Sequence, residues 1–302
     1  MRILLIAGGW SDEREVSLSG AEGIKTALLE LGHEVEFLDP ATDFKNILSR
    51  AEYADFAFIN LHGSPGEDGL IQAMLNQTNC PYQGAGPESS FLTLNKAAAK
   101  TVFDKNSILT PEWELICPAD GCKGIEKLDP PVFIKPNSGG SSLGMTFART
   151  NEELRRGVET VFSMGDSALV EKYTKGIEVT CGILGGEALP LILITPPEKA
   201  EFFDYNSKYA PDGAEEICPA PIDAKLTQEI QQISLRVHSL LGLADYSRAD
   251  FIISGGVAYL LEVNTLPGMT PTSLVPRAAK AAGYTFNTLI AKLIELGQSK
   301  RK

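Results

Sequence analysis

Histidine, cysteine and tryptophan are scarce in this 302-residue sequence, with three, five and two copies. The cysteines (Cys80, Cys117, Cys122, Cys181, Cys218) are odd in number, and no two stand in C-x-x-C spacing. That argues against a disulfide framework or a zinc site and for a reducing, cytoplasmic setting. Long apolar runs are also missing. Stretches such as 3–7 and 189–194 fall far below the ~18 residues of a membrane span, so no membrane partner is expected. The five apolar residues after Arg2 are too few for a secretory core segment. Basic excess is lacking as well: 27 Lys and Arg face 39 Asp and Glu, for a net charge of -12. A broad nucleic-acid surface is thereby excluded, and any polyanionic ligand must be held by a local cluster of cations, backbone N–H groups or metal. Apolar residues at 43% and charged residues at 22% describe an ordinary globular chain. At ~150 residues per domain, the length allows two folding units or three small ones.

The apolar run 2–7 ends in Gly8-Gly9 and predicts a buried strand entering a glycine turn. A helix over 19–31, stopped by Gly32, strands over 35–38 and 54–61, and a helix over 66–77 follow. This alternation predicts an α/β fold with a parallel sheet in the first ~90 residues. Ligands of such sheets sit beyond the carboxyl ends of the strands, where Gly8-Gly9 and His62-Gly63 fall. The segment 81–87, with Pro at each end, is the first plausible boundary. Beyond it the pattern predicts helices over 89–105, 151–164, 224–241 and 287–296. Strands are expected over 113–116, 132–135, 168–173, 177–184, 188–194, 247–253 and 257–263. Residues 196–221 contain five prolines and suggest a long binding loop or lid.

Two constellations carry chemistry. The loop Gly139-Gly140-Ser141-Ser142-Leu143-Gly144 has half of a Walker A pattern, but Met145-Thr146 stands where Lys-Ser/Thr would follow. Alone it reads as a turn; Lys135 at the end of the preceding strand turns it toward a phosphate cover made of backbone N–H groups. The second is Asp250, Glu262 and Asn264. Glu262 and Asn264 are two apart and share a strand face. The Gly255-Gly256 turn brings the strand of Asp250 alongside, and this all-oxygen set suits Mg²⁺ shared with phosphate. The bland alternative is a salt-bridged sheet face using Arg248. Lys96, on a helical segment, reads by itself as solvated surface, and His33 and His238 as helix-edge residues.

Taken together, the motifs resemble the D-alanine–D-alanine ligase family. The blocks are Arg14-Glu15-Val16-Ser17-Leu18, His62-Gly63 with Gly66-Glu67-Asp68-Gly69, and Lys135-Pro136 with the glycine loop. Glu171-Lys172-Tyr173, Lys208-Tyr209 and the run from Leu261 to Thr270 complete the set, in family order from Ile3 to about Leu296. The resemblance implies an ATP-grasp fold: an N-terminal parallel α/β domain and two α+β lobes gripping ATP. The corresponding division is 1–90, 91–175 and 176–302, with the lid at 196–221. It further implies ligation of two D-alanines through a D-alanyl phosphate, releasing ADP and phosphate, for peptidoglycan precursors. ATP as substrate, two Mg²⁺ (or Mn²⁺) ions and a homodimer come with it.

Roles follow from the same resemblance. Lys96, Lys135 and the lid residue Lys208 match phosphate-binding lysines, and Ser142 with its loop matches the phosphate cover. Glu171, with the backbone of Lys172 and Tyr173, matches the adenine edge, and Glu178 the ribose ligand. Asp250, Glu262 and Asn264 match the metal ligands. Glu15, tied to Ser141 and Tyr209, matches the acceptor of the first D-alanine ammonium, with His62 nearby. Arg248 and the Gly268 N–H match oxyanion stabilisers, and Ser273 with Leu274 the contacts to the second carboxylate. Tyr246-Ser247 stands where many relatives carry an aromatic-glycine pair. The competing readings are a D-Ala–D-Ser or D-Ala–D-lactate ligase, the latter disfavoured by Tyr209, and a non-catalytic nucleotide-binding regulator, which would need no oxyanion group.

Overall fold

The computed structural model describes residues 1–121, 127–140, 144–195 and 215–300. Strand β1 (Arg2–Ala7) is flanked in a parallel sheet by β2 (Glu34–Leu38) and β3 (Phe56–Asn60). Helix α1 (Arg14–Glu30) connects β1 to β2, and two short helices, α2 (Pro40–Asp43) and α3 (Ile47–Tyr53), connect β2 to β3. Ser17, Gly20, Ala21, Ile24, Ala27 and Leu28 form the buried stripe of α1, the spacing of a helix with one face on a sheet. Ser17 Oγ accepts from Gly8 N at 2.8 Å and donates to the Asn60 carbonyl, tying the ends of β1, β3 and α1 at one point. Arg14 grips Asp39 and the Gly9 carbonyl, and Gly9 N donates to Asp39 Oδ1 at 2.9 Å. The glycine turn after β1 is thus held from both sides.

The 66–77 helix is shorter than expected, only α4 (Leu70–Leu75), because Gly69 turns left-handed at φ 84° just before it. The long helix expected over 89–105 is two: α5 (Pro87–Leu94) and α6 (Lys96–Lys105). Between them Asn95 is extended, and its side chain accepts from Ala98 N at 3.0 Å, starting a new helix as an N-cap. A second sheet runs β4 (Trp113–Ile116), β7 (Ala168–Lys172), β5 (Val132–Pro136), β6 (Thr146–Ala148), all antiparallel. Helix α7 (Asn151–Ser163) covers one face, and Val132, Ile134, Ala168 and Val170 pack beneath its Leu154, Val158 and Val161. The alternate residues Phe133, Lys135 and Glu171 therefore point to the other face.

The third sheet is ordered β11 (Glu215–Ile217), β10 (Ile192–Thr195), β8 (Ile177–Leu184), β12 (Tyr246–Ser254), β13 (Val257–Asn264). A short β9 (Glu187–Ala188) pairs with β8. Pro190, which has no N–H to donate, interrupts the strand expected over 188–194. Within the expected loop, residues 215–217 form strand β11 and 218–221 are irregular; positions 196–214 lie outside the described residues. Gly255 and Gly256, both at positive φ, make the two-residue turn between β12 and β13 that hairpin twist favours. Helix α8 (Ala224–Leu240) packs on this sheet.

Helices α9 (Leu274–Ala281) and α10 (Phe286–Ser299) return to the first sheet. Val275, Leu289, Ile290 and Leu293 share one apolar core with Ile3–Ala7, Ile24 and Phe56. Among the described residues no helix is long and apolar enough to cross a membrane.

Two glycines at nearly equal φ separate backbone conformation from crowding. A Cβ on Gly69 would lie 2.4 Å from the Pro87 carbonyl oxygen, whereas one on Gly32 (φ 79°) would meet nothing within 4 Å. Gly32→Ala should cost about 1 kcal/mol, the conformational term alone. Gly69→Ala should cost at least about 2–3 kcal/mol, because backbone must move as well. Denaturant midpoints check this, and equal losses would show that the α4–α5 contact is soft.

Candidate active site

The carboxyl ends of β1 and β3, the outward face of the second sheet and one face of the third meet around a group of charged side chains. Alternation on the third sheet alone would not create that face. Core residues on β13 are Ala258, Leu260 and then Val263. A bulge opposite the Asp250–Phe251 step inserts one extra residue, and the pairing passes from Leu260 to Glu262. The bulge shifts the phase of the strand, so Glu262 and Asn264 leave the core side and stand across from Asp250 and Arg248.

Asp250 is 6% exposed and its carboxylate is fully used. Arg248 Nε and Nη2 donate to its two oxygens at 2.8 and 2.7 Å, Thr180 Oγ1 donates at 2.6 Å, and Asn264 Nδ2 at 3.0 Å. Glu262 is more open, with Lys96 Nζ 4.0 Å from Oε2. Among the described residues no set of three His, Cys, Asp or Glu side chains could hold a metal by itself. The oxygen donors of Asp250, Glu262 and Asn264 nevertheless fit a hard divalent cation that takes its other ligands from water and phosphate. A cation held at Asp250 would displace one of these hydrogen bonds.

Lys96 is not solvated surface: its side chain is 13% exposed and donates to the Gly139 carbonyl. The stem of the glycine loop is pinned there. Asn137 accepts from Ala97 N at 2.9 Å and donates to Asn95 Oδ1 at 3.0 Å, so the start of α6 and the start of the loop are one unit. Ser141 and Ser142 lie outside the described residues, as do Lys208 and Tyr209.

Glu171, in the middle of an apolar strand, is 2% exposed and held by Lys135 at 2.7 Å and Lys100 at 2.6 Å. Burial alone would raise its carboxyl; the two lysines override burial and hold it at about 2. Burial works against the Lys135 charge too, and Glu171, Glu262 and Glu178 outweigh it, so its pKa is raised. The Glu171 side chain is therefore committed to lysines. The backbone N–H groups of Lys172 and Tyr173 are committed as well, to Glu112 and Pro131 carbonyls at 2.8 and 3.1 Å. Those groups are closed to a base edge. Beside Lys135 lies an apolar wall instead: Phe133, Phe147 and Tyr173 have ring centroids 4.9–5.8 Å apart.

At the first sheet the structure corrects one expected residue. Glu15 is exposed, on the far side of α1 from the buried stripe, and does not join the cluster. Glu13, 8% exposed, does, because it falls four residues before Ser17 on that stripe. A Cβ on Gly140 would lie 3.0 Å from Glu13 Oε2 and 4.0 Å from Glu67 Oε2, so two carboxylates flank the glycine loop. His62, 7% exposed, has its pKa lowered by burial and by Arg248, against the pull of Glu13 and the Leu266 backbone. Glu67 accepts from Gly63 N at 2.9 Å. Its carboxyl is pushed up to about 8, by burial first and then by Glu13 and Glu262.

Gly268 and Ser273 are in contact: a Cβ on Gly268 would lie 3.0 Å from Ser273 Oγ. Ser273 Oγ accepts from Thr270 N at 3.1 Å, and Leu274, the first residue of α9, packs against the large core. His238 is no helix-edge bystander either; its Nδ1 lies 2.8 Å from Ser247 Oγ, and burial, with Lys300, lowers its pKa to about 4.

The sequence profile described as "D-ala D-ala ligase C-terminus" matches residues 106–295. A curated D-alanine–D-alanine ligase of Maridesulfovibrio salexigens is 82% identical over 302 residues, all of both chains. The chain belongs to the D-alanine–D-alanine ligase family. Another family member, from Nitratidesulfovibrio vulgaris, is 56% identical over 99% of both chains. Among solved structures, the Bacillus anthracis D-alanine–D-alanine ligase matches at TM-score 0.90, 36% identity, covering 100% of this chain and 98% of that one. A Bacillus anthracis D-alanine–D-alanine ligase complexed with ATP matches at TM-score 0.88 and 33% identity. The mixed α/β ATP-grasp fold of this ligase family is thus the fold of this chain.

Glu67 yields a pH prediction. Its ordinary pKa is 4.5 and its folded one about 8, so the folded protein holds one more proton between those values. The stability this group contributes is complete below the ordinary value and is lost as pH rises through the folded one. Glu67→Gln, which mimics the neutral acid, should flatten that fall. Thermal midpoints of the ligand-free protein from acid to alkaline pH check it, and parallel profiles would contradict it.

Proposed function

We propose that this chain ligates two D-alanines, with ATP as the phosphoryl donor, and that the charged cluster is where the reaction occurs. The observation that carries the reading is the meeting of two unlike halves in one cleft. The buried Glu13 carboxylate, with the protonated Glu67 and His62 beside it, forms one half, and Lys96, Lys135, Arg248 and the Asp250–Glu262–Asn264 set form the other. The first suits the ammonium of an amino acid; the second suits a polyphosphate. The family membership above supports the same reading. The ranges 1–90, 91–175 and 176–302, each carrying one sheet, then serve as the substrate-side unit and two nucleotide-gripping lobes.

Phosphoryl transfer needs alignment and charge neutralisation more than covalent help. Lys96 and Lys135 take the phosphates, and the wall of Phe133, Phe147 and Tyr173 receives the base. Glu178 is the candidate for the ribose. Asp250, Glu262 and Asn264 would hold Mg²⁺ or Mn²⁺, which when bound neutralises phosphate oxygens. The carboxylate of the first D-alanine, with its ammonium on Glu13, attacks the terminal phosphorus and forms D-alanyl phosphate and ADP. The free amine of the second D-alanine, its carboxylate at Ser273 and Leu274, then attacks the carbonyl carbon, and phosphate leaves. Charge on the carbonyl oxygen meets Arg248 and the Gly268 N–H, a contribution of about 2.7–4 kcal/mol per donor. Ser141, Ser142, Lys208 and Tyr209 keep the roles their resemblance suggests, on the phosphates and beside the second amino acid. The resemblance also supports a homodimer, and the odd number of cysteines without C-x-x-C spacing a cytoplasmic setting.

D-Alanine-dependent release of ADP tests the reading directly. ADP release that ignores D-alanine would favour a nucleotide-binding regulator, and a preference for D-lactate or D-serine a different ligase. Glu13, just before α1, and Glu15, in its first turn, sharpen the test. Glu13→Gln removes a charge-assisted hydrogen bond and should lower kcat/KM for D-alanine by about 10- to 100-fold. Glu15→Gln should stay within about twofold of wild type. The reverse order would return the ammonium site to Glu15.

A further inference from the structure

Lys100 is among the largest fully buried side chains of the protein, at 1% exposure. A lysine is almost never buried without a partner, and the reaction above does not use this one. It stands one helical turn after Lys96 on α6, so both point from the same helix face toward the second sheet. Its Nζ donates to Thr110 Oγ1 and lies 2.6 Å from Glu171 Oε2. That second contact is a short, buried ion pair. The other carboxylate oxygen, Oε1, accepts from Lys135 Nζ at 2.7 Å. One buried carboxylate is thus shared by two lysines, of which only Lys135 has a partly open side chain, at 16%.

We propose that Lys100 is a positioning residue for nucleotide binding: it fixes Glu171, and Glu171 aims Lys135 Nζ into the cleft. This rests on the reading that Lys135 meets the nucleotide phosphates. The geometry supplies two reasons. Lys100 holds Oε2, so Glu171 cannot swing both oxygens onto Lys135 and draw its ammonium back toward the sheet. Lys100 also sets the local charge. Two lysines and one carboxylate leave one net positive charge at a site meant for a polyanion; without Lys100 the remaining pair is neutral. Helix α6 has other anchors, namely Ala97, Ala99 and Phe103 in the interior and the Asn95–Asn137 pair at its start. Lys100 is not needed to hold it in place.

The test uses Lys100→Met, Thr110→Val, Glu171→Gln, the Lys100→Met/Glu171→Gln double variant, and Lys135→Met as control. The readouts are KM for ATP, KM for D-alanine, kcat, and the Kd of ADP with Mg²⁺ by calorimetry on folded protein. Lys100→Met should raise the ATP KM and ADP Kd by about 10-fold or more, with the D-alanine KM changed less than about twofold. Thr110→Val, which only loosens Lys100, should move the same two constants in the same direction by less. In the Glu171→Gln background, adding Lys100→Met should change ADP Kd by less than about twofold, because the two act through one contact. A folded Lys100→Met protein with unchanged ADP Kd would overturn the proposal, as would an equal Lys100 effect with and without Glu171. Should Lys100→Met fail to fold, unchanged ADP Kd in Thr110→Val overturns it instead. An ATP KM unmoved by Lys135→Met would sink the nucleotide-site reading itself, whereas Lys135 sensitivity with Lys100 indifference sinks only this proposal.

Discussion

Charges buried where three sheets meet have to neutralise one another, and the architecture around the cleft follows from that constraint. An isolated ion in a protein interior is prohibitive. The charged groups here are therefore placed against partners, several of them delivered by different elements. Glu171 from β7 takes Lys135 from β5 and Lys100 from α6. Asp250 takes Arg248 from its own strand, Thr180 from β8 and Asn264 from β13. Glu262 has Lys96 in reach. Glu67, crowded by Glu13 and Glu262, meets the constraint differently and holds a proton, with its carboxyl at about 8.

Much of the fold was legible because its elements carry strong periodicity. Strands 2–7, 113–116 and 177–184 lie where expected, and most others differ by one to three residues. The misses have local causes. Asn95 can continue a helix by composition, yet as an N-cap it starts a new one, because Asn137 fixes its side chain. The helix Leu274–Ala281 escaped notice since Pro276 lies in its first turn, where proline is tolerated but punctuates the pattern. The return of α9 and α10 to the first sheet joins residues 257 positions apart, as in the Asn287–Glu30 hydrogen bond, and no local signal encodes such a contact.

The cluster was legible where residues share a strand face and less so where phase mattered. The motif Arg14-Glu15-Val16 drew attention to Glu15, although the stripe Ser17, Ala21, Ile24, Leu28 already assigns the inward phase to Glu13. A helix turns about 100° per residue, so Glu15 stands about 200° from Glu13 and faces solvent. Glu67 and Lys100 were missed for another reason. Each is a charged residue in a segment whose pattern does not require burial, and only tertiary contacts show that water is excluded from them. The β13 bulge is the opposite case. Strict alternation still pairs Glu262 with Asn264 on one face, and the extra residue decides only which face that is.

The same network bears on how the site could exchange one set of partners for another. In the ligand-free arrangement Arg248 spends two donors on Asp250, and Asp250 has no oxygen lone pair to spare. A divalent cation entering at Asp250 would compete with the guanidinium for the same oxygens. Each would weaken the other's hold, since a carboxylate shared with a cation is a poorer acceptor for Arg248. Under the roles proposed above, the guanidinium and a cation would be alternative partners of the same carboxylate. Thr180 and Asn264 make that exchange feasible: they keep hydrogen bonds to Asp250, so the carboxylate need not move when its charged partner changes. A rigid acid with interchangeable cations is what a cleft needs if its charge balance must hold both before and after a polyanion arrives.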